Sequence, residues 1–223
     1  GTELKFRTGG DQGTYYGFGS ILAQKVGEAT STQVTAITSN GSAANIQAMQ
    51  DGDAQLGFVQ SDVMAYAYEG TRTFKDLGAY SDFSTVASVY MEQVQIVTLD
   101  PNIKTVADLA GKRVSIGAPN SGVYFNAVDV LGAYDLTEDD IEATYEDFGT
   151  SADSLGDLDA DGKFTQINAT YQSFGDSADS LKDGKIDAAF VVAGAPTTAI
   201  TSLATTKDVY LVSLDDEHID KLL

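Results

Sequence analysis

The chain has 223 residues, 43% of them hydrophobic and none of them cysteine, enough to bury one large core or two small ones while excluding disulfides, thiolate metal ligands and a cysteine nucleophile. Its 33 acidic and 13 basic residues leave a formal net charge of −20, which disfavours a nucleic-acid partner because neutralising phosphates takes clustered Lys and Arg; the lone histidine, His218, removes most imidazole-based chemistry. No apolar run approaches the ~18 residues of a membrane span, so direct membrane insertion is not expected.

Residues 4–8 alternate sides as a short strand, GGDQGTYY at 9–16 interrupts it, and 17–29 show helical spacing at Phe18, Ile21, Leu22, Lys25 and Val26. Residues 34–38 are β-branched and strand-like. SNGS at 39–42 is a loop ending on an N-cap, 43–50 continue as a helix, and Gly52 stops it. A buried-strand pattern at 55–60 leads through Ser61 and Asp62 into an aromatic-rich helix over 63–68. This βαβαβα alternation favours parallel strands with helices on the faces of the sheet.

The stretch 86–99 is rich in Val, Ile and Thr without a break, longer than one average strand, and is expected to cross between lobes. The pattern then restarts with a short helix at 106–109, a turn at Gly111, Lys112 and Arg113, a strand at 114–117, the turn APNSG at 118–122 and a helix over 123–131. Two α/β lobes are the economical reading: 1–97, with 209–223 returning to it, and 98–208. The second lobe contains an internal repeat, IEATYEDFGTSADSL at 141–155 and INATYQSFGDSADSL at 167–181. Two copies are too few for a solenoid, so a local duplication is expected. One copy should fill a strand-plus-helix slot leading through 181–185 into a buried strand at 186–192, and the other should be an insertion.

The device this sequence repeats is the helix start after a strand, at 13–15, 42–44, 61–62 and 121–122. Backbone N–H groups and the helix dipole bind anions there, although Ser and Gly at such positions are also ordinary caps. Several of them at the carboxyl ends of strands mark where open α/β sheets place a ligand crevice. The first turn lacks both the Gly-x-Gly-x-x-Gly spacing and the Gly-Lys-Ser/Thr of nucleotide loops. No serine has an evident histidine base, and chance carboxylate pairs abound among 33 acids, so no catalytic residues are assigned and an enzyme is not expected. The acidic excess reads as a solvated surface of the kind halophile proteins carry, or as simple solubility.

Asp157, Asp159 and Asp161, with Gly162, the backbone of Lys163 and the apolar Phe164, follow the opening of a calcium loop, but position twelve is Asn168 rather than glutamate. Weak calcium binding at 157–168 and an acidic hairpin tip are both open readings, and no cofactor is required. Most aromatic residues fall where spacing buries them. Tyr15, Tyr90 and Tyr124 instead fall beside the expected crevice, where a phenol offers both a wall and a hydrogen bond.

TGGDQGTYY at 8–16, SNGS at 39–42 with Asn45, GFVQSD at 57–62, YME at 90–92 with VQIV at 94–97, DLAGKRV at 108–114, GAPNSG at 117–122 and DGKIDAAFVVAG at 183–194 cover nearly the whole chain in order. Together they resemble the TAXI group of solute receptors that serve tripartite, ATP-independent periplasmic (TRAP) transporters. The resemblance implies a type II periplasmic-binding-protein fold, two α/β lobes joined by hinge strands with the ligand crevice between them. It further implies a periplasmic or extracytoplasmic monomer, its signal peptide removed, that closes on a small carboxylate such as glutamate, glutamine or a dicarboxylate and hands it to the membrane subunits of the transporter. Carried over residue by residue, the ligand positions are Thr14, Tyr15, Ser42, Gln60 and Ser61 from lobe one, Tyr90 and Glu92 at the crossover, and Asn120, Ser121 and Gly194 from lobe two. Glu92 would meet a substrate ammonium. The duplication departs from the family pattern, which also continues beyond a segment like 209–214, so lobe one is expected to be incomplete. A ligand-sensing module of a signalling system and an α/β enzyme using carboxylates are the alternative readings.

Overall fold

The computed structural model describes residues 1–137, 140–144 and 174–223. The first lobe is built on strands β1 (Glu3–Arg7), β2 (Gln33–Ile37) and β3 (Leu56–Gly57), in the order β2-β1-β3 and all parallel. Parallel neighbours need long crossovers. They are supplied by helices α1 (Thr14–Ala29) and α2 (Ser42–Gln50), and the lobe is completed by α3 (Ser61–Glu69) and α4 (Phe74–Leu77). On α1 only Gly19 and Ala23 are buried. Gly19 is there because the helix lies directly on β1: a Cβ at that position would come within 2.7 Å of Thr8 Cγ2 and 3.1 Å of the Phe58 ring.

The second lobe holds a five-stranded sheet ordered β6-β5-β7-β4-β8. Its strands are β4 (Gln93–Thr98), β5 (Arg113–Ser115), β6 (Glu142–Thr144), β7 (Ala188–Ala193) and β8 (Tyr210–Leu211). β5 runs parallel to β6 and β7, while β4 is antiparallel to both β7 and β8. Helices α5 (Gly122–Ala133), α6 (Phe174–Lys182), α7 (Thr198–Ala204) and α8 (Asp216–Asp220) complete the described part. Every residue of β7 is buried, because the sheet is covered on both faces. Ala188, Phe190 and Val192 point into a core with Val114, Ala127 and Leu131, whereas Ala189, Val191 and Ala193 point into another with Leu181 and Leu203.

The structure differs from the sequence reading in three places. Of the apolar stretch 86–99, only 93–98 forms a strand; 78–92 has no regular structure and carries the chain from one sheet to the other. β4 pairs wholly within the second sheet, from Gln93 opposite Ala193 to Thr98 opposite Ala188, so the lobes part near residue 92. Residues 209–223 stay with the second lobe rather than returning to the first. The physical cause is a set of specific contacts: Leu211 pairs with Val97, Val212 N donates to Ile96 O at 2.8 Å, and the His218 ring stacks on Tyr134 at 3.7 Å. Finally, among the described residues the repeat supplies β6 from its first copy and α6 from its second. The calcium-like residues Asp157, Asp159, Asp161 and Lys163 lie outside the described residues.

Candidate functional site

The loops after β1, β2 and β3 are tied together by one buried side chain. Asn45 on α2 donates through Nδ2 to Thr8 O at 2.7 Å and Phe58 O at 2.8 Å, and its Oδ1 accepts from Ser39 Oγ. Ser42 adds a further tie, its Oγ accepting from Gln60 N at 3.0 Å. The loops after β1 and β2 therefore deliver the starts of α1 and α2, and the loop after β3 delivers Gln60, to the same place at the carboxyl ends of the strands.

That place is a cavity between the lobes of about 650 Å³ including its open mouth. The N-termini of α1, α2 and α5 all reach it, through Thr14, Ser42 and Ser121, and Glu92 enters from the crossover. Tyr15 stacks on Phe58 at 4.9 Å and donates its hydroxyl proton to Glu92 Oε2 at 3.3 Å. The Gln60 side-chain amide of the first lobe packs directly on Gly122, where a Cβ would fall 2.3 Å from Gln60 Cδ and displace that amide. Thr14 Oγ1 donates across the lobes to Gly194 O at 3.1 Å, and Ala44 N donates to Asn120 O at 3.1 Å. The lobes are thus in contact on both sides of the helix starts.

No Lys, Arg or His is among the described residues lining the cavity. Its charge is the Glu92 carboxyl, which burial pushes up to about 7; hydrogen bonding from Gln60 and Tyr15 works the other way, and the Asp62 charge adds to the rise. Burial, followed by the Glu92 charge, raises the Tyr15 and Tyr90 phenols, so both remain protonated; Tyr15 donates to Glu92, whereas the buried Tyr90 hydroxyl has no hydrogen-bond partner among the described residues. The Gln60 Oε1 and Asn40 Oδ1 atoms, both from lining residues, are buried without a hydrogen-bond partner among the described residues. The cavity therefore combines electropositive helix starts with a group of side-chain acceptors around one carboxyl.

Thr14, Tyr15, Ser42, Gln60, Glu92 and Ser121, chosen from sequence, line the cavity together. Four others do not line it. Ser61 is exposed at the start of α3; Tyr90 stands behind the wall, its ring 6.3 Å from Tyr15 and 5.8 Å from Phe18; Asn120 and Gly194 contribute backbone carbonyls to interlobe bonds. Sequence reasoning missed Asn40 and Gly122, which sit inside motifs it had singled out, and the lining residues Phe174 and Phe190. Phe174 belongs to the repeat, where periodicity alone cannot say which copy faces the crevice.

A model of the NMT1-like family matches residues 6–170 and 159–223, two ranges that together span nearly the whole chain and overlap inside the repeat. Among solved structures, the alkanesulfonate-binding protein SsuA from Xanthomonas axonopodis pv. citri, bound to MOPS, is 17% identical with a TM-score of 0.55, over 96% of this chain and 61% of that one. The GluR0 ligand-binding core from Nostoc punctiforme in complex with L-glutamate is 14% identical with a TM-score of 0.56, over 95% and 79%. An arginine-specific periplasmic binding protein from Salmonella typhimurium is 14% identical with a TM-score of 0.53, over 98% and 81%. The chain spans about three fifths of the length of the SsuA structures it matches. With two α/β lobes enclosing a cavity at their helix starts, the chain has the type II periplasmic-binding fold and belongs to the NMT1-like family.

Proposed function

We propose that this protein is an extracytoplasmic receptor that captures a small solute between its lobes, performs no chemistry on it, and passes it to the membrane subunits of a transporter. The carrying observation is the cavity itself, where three helix N-termini and one buried carboxyl converge with no basic side chain among the described lining residues. Helix starts hold a carboxylate without a counter-charged side chain. Ionised Glu92, with Gln60 Oε1 and Asn40 Oδ1, offers acceptors to an ammonium group. A small amino acid such as glutamate or glutamine satisfies both halves, and a dicarboxylate satisfies the first with Glu92 protonated. The proteins of similar fold are described with a sulfonate buffer, glutamate or arginine, all small and charged. The motifs at 8–16, 57–62 and 183–194 favour a transporter of the tripartite, ATP-independent class.

The test is thermal unfolding against a panel of glutamate, glutamine, 2-oxoglutarate, succinate, neutral amino acids and calcium. A solute that binds only the native state raises the midpoint, by about 2.7 kcal/mol of stability at a hundred times its Kd. A rise with one amino or dicarboxylic acid, abolished in Ser42→Ala and, for an amino acid, also in Glu92→Gln, supports the receptor and identifies its cargo. No rise with any organic solute, in folded protein freed of carried-over solute, overturns it.

A further inference from the structure

The lobes also touch outside the cavity. Phe125, on α5 of the second lobe, is 2% exposed, and the buried residues clustered around it, Ala43, Ile46, Val63, Ala67 and Phe74, all belong to the first lobe. Its ring meets Tyr66 edge-on at 5.4 Å. The Arg72 guanidinium lies 5.5 Å from the Phe125 centroid and 5.1 Å from that of Tyr66, and it donates to Asp129 Oδ1 of α5 at 2.8 Å. Asn126 Nδ2 donates to Asp62 Oδ2 at 3.1 Å, again across the lobes. None of Phe125, Asn126, Asp129, Asp62 or Arg72 lines the cavity. Arg72 and Asn120, each on an interlobe contact, have left-handed backbone with φ of 53° and 64°, a region that non-glycine residues avoid.

If solute-lining groups alone joined the lobes, closure would depend on solute. A phenyl ring buried wholly in the opposite lobe, with a cation over its face and an ion pair beside it, favours the closed arrangement whether or not the cavity is filled. Opening must expose that ring and the apolar pocket around it. We propose that Phe125 is a latch that holds the lobes closed without solute and, taking the protein as the receptor argued above, that its withdrawal limits solute entry and release.

The cysteine-free chain permits a direct test. Nitroxides on Asp53→Cys in the first lobe and Lys207→Cys in the second, both exposed, report the interlobe distance by pulsed electron resonance. Without solute, the parent is expected to give one narrow distribution at the closed distance. Phe125→Ala is expected to shift the closed-to-open ratio by about a hundredfold or more, giving a longer and broader distribution. Arg72→Ala combined with Asp129→Ala leaves the apolar pocket filled and is expected to move the ratio the same way by about tenfold; it decides the matter should Phe125→Ala fail to fold by circular dichroism. A parent that is already long and broad without solute, or folded variants that keep the parent's distance, overturns the latch. Because the measurement uses no solute, its outcome is separate from that of the solute panel.

Discussion

Tyr15 donates its phenolic proton to Glu92 Oε2 at 3.3 Å, linking the first turn of α1 to the crossover segment inside the cavity. The pair brings together residues 77 positions apart in a setting where burial disfavours ionisation of both. Its consequences are measurable through proton linkage.

Glu92 titrates at about 7 in the folded protein against an ordinary value of 4.5. Between those values the folded state binds more protons than the unfolded chain, so this group's contribution to stability is full below about 4.5 and is lost as pH rises towards 7. Glu92→Gln removes that slope. At pH ~8 the variant is expected to exceed the parent by up to about 3 kcal/mol, and at pH ~4 the difference is expected to vanish. Urea unfolding of both proteins across this range checks it; parallel curves would sink the assignment.

The same proton distinguishes the two cargo classes. A solute whose ammonium pairs with ionised Glu92 is expected to weaken below pH ~7, approaching tenfold per pH unit, whereas a dicarboxylate is expected to tighten as the like charge is removed. Calorimetric titration at about pH 5.5 and about pH 8 reads the sign directly. An affinity for either class that does not change with pH would remove Glu92 from the contact.

Asn45→Ala is expected to cost about 2–4 kcal/mol, because it leaves the Thr8 and Phe58 carbonyls and the Ser39 hydroxyl without this buried partner. The loops it releases carry the starts of three helices, so solute-induced stabilisation should fall with it. Chemical denaturation with and without the best solute of the panel measures both effects. A loss of stability with the solute response intact would separate the hub from the site.

Two glycines of α1 provide a paired test of close packing. Gly19→Ala is expected to destabilise by about 1–3 kcal/mol, since its methyl would meet Thr8 and Phe58 at 2.7 Å and 3.1 Å. Gly17→Ala, with nothing within 4 Å of the added carbon, is expected to stabilise by up to about 1 kcal/mol through helix propensity. Thermal melts in the same buffer should therefore move in opposite directions; equal shifts would mean that α1 does not lie on β1 as described.

Local sequence determined the parts that depend on short-range chemistry. The alternating strand at 4–8, the Gly-rich turn after it and the loop at 39–42 are legible because side-chain period and turn residues act within a few positions. Helix starts at strand ends pointed to Thr14, Tyr15, Ser42 and Ser121, because such starts converge in an open α/β sheet, whereas Gln60 and Glu92, which also line the cavity, came from the family resemblance. Tertiary structure decided whatever required a distant partner. The Val- and Ile-rich run at 86–99 has strand chemistry throughout, yet only 93–98 becomes a strand, where β7 offers its backbone on one side. Sequence reading returns 209–223 to the first lobe, yet 210–211 pair with the edge that β4 supplies in the second. Phe125 carries the ordinary spacing of a helix core residue, and nothing local says that the core it fills belongs to the other lobe. Propensity and periodicity specify that a side chain or a backbone edge must be covered, but which surface covers it is settled only when the whole chain has packed.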